Sequence, residues 1–169
     1  MSDPLISFLA QADKAGFISR LGALYEHSPW IAAEAWSRRP FADRDALRAA
    51  LRAVVDEANE ARQLQLIRAH PDLAGKLARA GTLEAHSTRE QQGLGLDRLD
   101  DAEYRRFDSL NTAYRERFGF PFIVAVRAHT RDSVLAAFES RLRNTPDQER
   151  RAALREIHQI AAFRLSDLS

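Results

Sequence analysis

The sequence predicts an all-α fold, a single compact domain spanning residues 1–169 with about seven to nine helices. Apolar residues recur at spacings of three and four along most of the chain, which is the period of an amphipathic helix. Glycine and proline fall mainly between these periodic stretches, where helices end. The one run of strand-like apolar residues, 120–126, follows Gly119 and contains Pro121, which indicates a connector instead of a strand.

The first half of the chain is predicted to contain the shorter helices. Two glycines and a proline divide residues 4–37 into two or three of them. A longer helix follows, with an apolar stripe of residues spaced three or four apart: Leu47, Ala50, Leu51, Val54 and Ala58. The next helix is expected to end near His70, because Pro71 disfavours helical backbone geometry at the residue before it.

Three helices of the second half carry start signals. Asp100 and Asp101 place carboxylates at the positive end of a helix whose apolar stripe lies within residues 104–118. Thr130 is the expected N-cap of the next helix. The sequence Thr-Pro-Asp-Gln at 145–148 opens the last helix with a capping threonine, a proline at the first helical position and a glutamine placed for a capping box.

The composition limits the classes of partner. The net charge is +1, so no global field attracts nucleic acid or an anionic membrane. The absence of cysteine excludes disulfides and thiolate metal sites. No apolar run reaches the length of a membrane span, and the N-terminal residues lack the pattern of a signal peptide. We therefore expect a cytoplasmic protein that binds neither nucleic acid nor membrane.

Three short blocks interrupt the helical pattern and carry polar groups. They are His70-Pro71-Asp72-Leu73-Ala74-Gly75-Lys76, Ser87-Thr88-Arg89-Glu90-Gln91 and Phe118-Gly119-Phe120-Pro121-Phe122-Ile123-Val124-Ala125-Val126-Arg127. Between them they offer an imidazole for proton transfer, a hydroxyl, a carboxylate, an amide and a guanidinium. This combination predicts a site for a small, polar, anionic ligand.

Each block also has a purely structural interpretation. His70 is either a proton donor at the negative end of a helix or a polar residue that ends it. Ser87 and Glu90 have the spacing of a capping box, and the same helix start would offer an anion its backbone N–H groups. A capping Glu90 would be only partly available to a ligand. Arg127 either grips a carboxylate through its planar fork or lies at the solvated end of a buried connector.

The remaining histidines and arginines predict less. His86 and Glu90 are four residues apart, but His86 is expected to precede the helix and no third ligand is evident, so we expect no metal site. His158 lies on an apolar face and is expected to be a hydrogen-bonded core residue. A cluster of arginines interleaved with acids is expected to form a solvated face: Arg141, Arg143, Arg150, Arg151 and Arg155.

The three blocks, in this order and spacing, closely resemble the 2-oxo-4-hydroxy-4-carboxy-5-ureidoimidazoline (OHCU) decarboxylase family. Two further matches extend the resemblance over essentially the whole chain: Ser28-Pro29-Trp30 and Leu110-Asn111-x-x-Tyr114. The resemblance implies an all-α homodimer that removes CO₂ from OHCU without a cofactor. The product would be (S)-allantoin, formed in urate degradation with protonation on one face.

The resemblance also implies roles for individual residues. His70 would be the catalytic proton donor, and Glu90 would take part in catalysis. The residues implied in substrate binding are Pro71, Ser87, Thr88, Arg89, Glu90, Gln91, Ile123, Val124, Ala125, Val126 and Arg127. The chain lacks the C-terminal peroxisomal signal of many eukaryotic members, which indicates a bacterial, cytoplasmic enzyme.

Two other functions stay open at this point. One is a non-catalytic helical binding module, in which the three blocks are only caps and connectors. The other is a relative that acts on a different ureido or imidazoline acid. Turnover of OHCU beside related acids would separate these possibilities.

Overall fold

Helices account for all the regular structure in the part of the chain that the computed structural model describes, residues 1–75, 78, 83 and 85–169. This confirms the predicted all-α class, and the nine α-helices bounded within those residues agree with the expected number. They are α1 (Pro4–Gln11), α2 (Lys14–Leu21), α3 (Trp30–Ala35), α4 (Arg44–Glu57), α5 (Glu60–Arg68), α6 (Ala85–Gly93), α7 (Asp101–Phe118), α8 (Arg131–Arg141) and α9 (Pro146–Asp167). Two short 3₁₀ turns lie at Trp36–Arg38 and Val126–Ala128. None of the helices found in these ranges has the length and apolar character needed to cross a membrane.

The chain divides into two compact units, and the first consists of Met1–Ala69 with His158–Ser169. It contains α1 to α5 and the end of α9. Two or three short helices were expected within residues 4–37, and α1, α2 and α3 confirm this. Four of its helices begin at a side chain that accepts a first-turn backbone N–H: Asp3, Asp13, Asp43 and Asn59. Buried leucines, including Leu47 and Leu51 of α4, form its core.

Two polar contacts are buried inside this first unit. Arg164 of α9 lies 2.9 Å from a carboxylate oxygen of Glu26, and each side chain is only 1% exposed. His158 is also buried, and its two ring nitrogens contact the Tyr25 hydroxyl at 2.9 Å and the Asp56 carboxylate at 3.1 Å. The prediction of a hydrogen-bonded core histidine at 158 is therefore confirmed.

The second unit, His70–Ile157, contains α6, α7, α8 and the first part of α9. Its core is aromatic: Phe122 stacks on Phe138 with ring centroids 3.7 Å apart, and Tyr114 lies edge-on to both. The expected caps are confirmed at the starts of three helices. Asp100 and Thr130 accept backbone N–H groups, and Thr145 and Gln148 form a reciprocal capping box.

The connector predicted between α7 and α8 is also confirmed. Gly119 ends α7 in the left-handed conformation, with a φ of 76°, which glycine adopts without steric cost. Residues 120–125 carry no helix or strand, and the 3₁₀ turn at Val126–Ala128 follows them. The single-domain prediction for residues 1–169 stays a prediction.

Candidate functional site

His70 lies two residues beyond the end of α5, as its neighbour Pro71 predicts. The backbone N–H of Ala69 bonds to the Gln65 carbonyl at 3.0 Å and closes the last turn. The His70 side chain is buried, with 7% of its surface exposed, and Pro71 is half-buried. The imidazole is therefore held where a helix ends and an irregular segment begins.

The second block lies inside α6, which corrects one prediction. The helix begins at Ala85, so Ser87 is its third residue and not its N-cap, and His86 lies within the helix instead of before it. The expected capping box between Ser87 and Glu90 is wrong. Residues three apart are one helical turn apart anywhere in a helix, so the pattern does not by itself mark a helix start. Glu90, which is half-buried, is therefore relieved of the expected capping role.

Gln91 joins the second block to the first. Its side-chain oxygen accepts the backbone N–H of Ala74 at 2.9 Å, and its side-chain nitrogen donates to the Asp72 carbonyl at 3.3 Å. The Gln91 side chain is 3% exposed, so these bonds form away from water. Ala74 has a φ of +52°, a left-handed conformation that is unusual for a residue with a side chain. Gln91 thus fixes a strained segment that we call the 72–74 turn.

Two residues of α7 hold the same 72–74 turn. Asn111 donates from its side-chain nitrogen to the Leu73 carbonyl at 2.8 Å, and Arg115 donates to the Asp72 carboxylate at 2.9 Å. Residue-level analysis of the sequence missed both contacts. The sequence did contain one sign of the Asn111 contact. Asn111 is polar, yet it lies on the apolar stripe of α7, where a hydrophobic residue would be expected to pack.

The third block approaches the second through backbone packing. Helix α6 packs against the 3₁₀ turn Val126–Ala128. Residues 120–126 are all buried, whereas Arg127 is exposed. All three blocks are therefore brought together within the second unit, the first two by Gln91 and the last two by α6. Lys76, the last residue of the first block, lies outside the described residues.

The predicted substrate-binding residues differ in how they are exposed. Among those of α6, Ser87 and Gln91 are buried, Thr88 and Glu90 are half-buried, and Arg89 is exposed. The Thr88 hydroxyl donates to the Leu83 carbonyl at 3.0 Å, and Arg89 lies 2.9 Å from the His86 ring. The third block contributes four buried residues, Ile123, Val124, Ala125 and Val126, and the exposed Arg127. The group thus combines buried apolar residues of the connector with polar residues of one helix.

A buried ionic network supports the connector, and it corrects the interpretation of Arg141 as part of a solvated face. Arg141 donates to the Glu149 carboxylate at 2.8 Å and to the Ile123 carbonyl at 2.5 Å. Glu149 is fully buried and also accepts from the Tyr114 hydroxyl at 2.6 Å and from Asn144 at 2.8 Å. Burial and the hydrogen bond to Glu149 both raise the pKa of Tyr114. The alternation of arginines and acids in the sequence did not reveal the Arg141–Glu149 pair, because it does not show which of these side chains are buried against each other.

A metal site was not expected, and the described part of the chain contains no cluster of three or more histidine, aspartate or glutamate side chains able to hold an ion. The polar groups brought together here are hydrogen-bonding and acid–base groups. Such a set suits the binding of an organic anion and the transfer of a proton.

Comparison with known proteins identifies close similarities. The sequence model of a family described as OHCU decarboxylase matches residues 10–166. A 2-oxo-4-hydroxy-4-carboxy-5-ureidoimidazoline decarboxylase of Halalkalicoccus jeotgali is 42% identical over 161 residues, covering 95% of this chain and 89% of the relative. The protein of the same name from Haloferax volcanii is 44% identical over 155 residues, covering 92% and 90%.

One solved structure shares both sequence and fold. The crystal structure of an (S)-allantoin synthase superposes with a TM-score of 0.72 at 37% identity. The match covers 95% of this chain but 52% of that one, so this chain spans about half the length of the synthase.

Proposed function

This chain belongs to the OHCU decarboxylase family, and we propose that it converts OHCU to (S)-allantoin and CO₂ in urate degradation. The observation that supports this function is the meeting of the three polar blocks in the second unit. Gln91 links the segment after His70 to α6, and α6 packs on the end of the 120–127 connector. These blocks are the ones that carry the family resemblance.

The proposed decarboxylation requires the protein to bind the substrate and to supply one proton. When the C–CO₂⁻ bond breaks, CO₂ leaves and the electron pair stays on a ring carbon that is conjugated to an imine. The conjugation delocalises the charge, so the substrate supplies its own electron sink. The electron pair moves into the bond to the neighbouring ureido-bearing carbon, the former imine carbon, and the hydroxyl-bearing carbon becomes a carbonyl of allantoin as its O–H proton leaves. The protein then has to hold the ring in one orientation and deliver one proton to one face of the ureido-bearing carbon. We therefore propose a reaction without metal or organic cofactor.

We propose His70 as the proton donor. The imidazole follows the C-terminus of α5, where the negative end of the helix dipole favours a cation. Its burial keeps bulk water from competing for the carbanion. Glu90 is proposed to act beside it, holding the substrate N–H groups or orienting the imidazole.

The proposed binding surface consists of Pro71, residues 87–91 and residues 123–127. Gln91 combines two tasks in this proposal. Each end of its amide makes one bond to the 72–74 turn, and each end has the capacity for a second bond, which a ureido group could use. Arg127 would grip a carboxylate or carbonyl with its planar fork. This grip has to strengthen in the transition state, because uniform binding does not accelerate the chemical step.

We also propose that the enzyme acts as a homodimer in the cytoplasm of a bacterium, as the resemblance and the sequence pattern imply. The two decarboxylases compared above come from archaea, so the source stays a prediction. Light scattering after gel filtration should give twice the mass of one chain. The mass of a single chain would contradict the dimer.

The test of function is stereochemical. Purified protein is added to freshly generated OHCU, and the circular dichroism of the allantoin formed is followed with time. Wild-type protein should give optically active (S)-allantoin, and exhaustive chelation and dialysis should leave the rate unchanged. Racemic allantoin formed at the uncatalysed rate would contradict the proposed function.

Within the same assay, His70→Ala should lose on the order of 10²–10⁴-fold in rate and keep its helical circular dichroism, since general acid–base catalysis contributes that much. The matched control is His27→Asn. His27 is exposed and has a φ of 45°, which asparagine tolerates. Its loss should leave turnover unchanged. Wild-type rates in His70→Ala would remove His70 as the proton donor.

A further inference from the structure

The 72–74 turn begins two residues after His70, and Pro71 is the only residue between them. The conformation of this turn therefore sets the direction in which the chain leaves His70. We propose that Asn111 of α7 is a positioning residue for the reaction: its bond to the Leu73 carbonyl holds the 72–74 turn, and the turn holds His70 in its productive orientation. This inference rests on the proposed function.

The turn needs external support because its own backbone is unfavourable. Ala74 has a φ of +52°, where the side chain of an L-residue crowds the following carbonyl. Leu73 and Ala74 are both buried, so water does not replace a missing hydrogen bond there. A strained segment of this kind persists when its surroundings over-determine it. Asn111 supplies one of the bonds that do so.

Asn111 would destabilise the folded state if its only role were to fill space in the core. Its side chain is 5% exposed, and its side-chain oxygen is buried without a hydrogen-bond partner among the described residues. An unsatisfied buried acceptor destabilises the folded state. Leucine has almost the same size and would bring no such cost. The amide is therefore better explained by the turn that it fixes than by packing.

Helix α7 is a suitable platform for this contact. It is 18 residues long, its N-terminus is capped by Asp100, and its C-terminus ends at the left-handed Gly119. Tyr114, one turn after Asn111, is fully buried in the aromatic core. A group carried by such a helix is placed more precisely than one carried by a loop.

The test compares Asn111→Leu with a matched control, Gln63→Leu. Gln63 is also a buried amide, 7% exposed, that donates to a backbone carbonyl, that of Val55 at 3.0 Å, in the first unit. For Asn111→Leu we expect kcat to fall on the order of 10–100-fold, because misplacing a catalytic group by about 1 Å has effects of that size. KM should change less than about threefold, and the melting temperature should stay within a few degrees of wild type. Gln63→Leu should keep wild-type kcat.

A second substitution separates positioning from a general structural role. Glycine adopts the left-handed conformation without the steric cost that alanine has. Ala74→Gly should therefore be nearly silent alone and should recover at least about fivefold of the kcat lost in Asn111→Leu, since that cost is worth roughly such a factor. Equal loss of kcat in Gln63→Leu, or unchanged kcat in Asn111→Leu, would overturn the proposal, and so would an absence of rescue by glycine.

A readout without substrate keeps this proposal separable from the proposed function. Amide hydrogen exchange at Ala74 should be markedly faster in Asn111→Leu than in wild type, and the ring proton signals of His70 should shift or broaden. Neither change is expected in Gln63→Leu. If the wild-type protein fails to turn over OHCU while both changes are seen, the proposed function fails and the turn contact stands. If neither is seen, the positioning role fails whatever the substrate.

Discussion

At the residue scale, Glu90 illustrates how a corrected helix boundary changes a functional argument. A capping box would have bound this carboxylate to a backbone N–H and left it partly occupied. Because α6 begins at Ala85, Glu90 lies in the second turn of the helix, where no backbone N–H needs a cap. A half-buried carboxylate in that position, beside Gln91, is not the N-terminal cap partner that the sequence pattern indicated.

Glu90→Gln should therefore lose turnover without losing stability. We expect at least a roughly 10²-fold lower rate, the lower end of general acid–base contributions, and a free energy of unfolding within about 0.5 kcal/mol of wild type. The control is Glu116→Gln, an exposed carboxylate of α7, which should match wild type in both respects. Urea denaturation and the allantoin assay measure the two quantities. A loss of stability with unchanged turnover would return Glu90 to a structural role.

His158 is expected to make the stability of the first unit fall as the pH falls. Burial lowers the pKa of its imidazole, and the contact with Asp56 only partly opposes this effect. Below about pH 6.5, His158 therefore binds a proton more readily in the unfolded chain than in the folded protein. Stability is fully present above that pH and is lost as the pH falls from about 6.5 towards the lowered pKa of the folded state.

His158→Gln should weaken this dependence of stability on pH below about pH 6.5. At pH 7.5 the substitution should cost about 1–3 kcal/mol, because the bonds to Tyr25 and Asp56 are disturbed. As the pH falls, wild type and variant should converge. Urea titrations at a series of pH values give the slopes, and parallel slopes in wild type and His158→Gln would contradict the argument.

At the scale of elements, local signals were sufficient where neighbouring residues determine the outcome. The caps at Asp100, Thr130 and Thr145 were predictable because a cap and its backbone partner lie within four residues. Gln91 and Asn111 act on residues 17 and 38 positions earlier in the chain, and no local pattern contains that information. The polar groups of the candidate site could thus be listed from the sequence. The sequence did not show which of them bind backbone groups of the protein and which remain to bind a substrate.

The connector 120–127 is also held by contacts between residues that are distant in the sequence. Arg141, at the end of α8, reaches back to the Ile123 carbonyl, and Glu149 of α9 neutralises its charge. Tyr114 and Asn144 complete the hydrogen bonds of the buried carboxylate. A buried pair of this type adds little net stability compared with apolar residues, but losing one partner leaves an uncompensated charge.

Arg141→Met should therefore destabilise the protein by about 3–5 kcal/mol, and adding Glu149→Gln should recover a large part of that loss, because the second change removes the stranded charge. The control is Arg151→Met. Arg151 pairs with Asp147 at the surface, both side chains being more than half exposed, and should cost less than about 1 kcal/mol. Chemical denaturation of the four proteins measures these differences. A small effect of Arg141→Met, equal to that of Arg151→Met, would show that the pair does not support the connector.

At the scale of the whole molecule, the path of the chain bears on how the two units unfold. The second unit is an insertion in sequence, since the first is completed by His158–Ser169 after the second has ended. Helix α9 runs without interruption from Pro146 to Asp167 and so contributes residues to both units. Helix formation is cooperative along a segment, and a helix broken at its middle loses backbone bonds on both sides of the break.

We therefore predict that the protein unfolds in one cooperative transition, which is the behaviour of a single domain. Loss of either unit would strip the packing from one end of α9, and the fraying helix would destabilise the other unit. Scanning calorimetry should give one peak with equal calorimetric and van't Hoff enthalpies, of roughly 120 kcal/mol near 60 °C at about 0.7 kcal/mol per residue. Arg141→Met, in the second unit, and His158→Gln, in the first, should each shift the whole peak. Two resolved peaks, with each substitution moving only the peak of its own unit, would contradict a single domain.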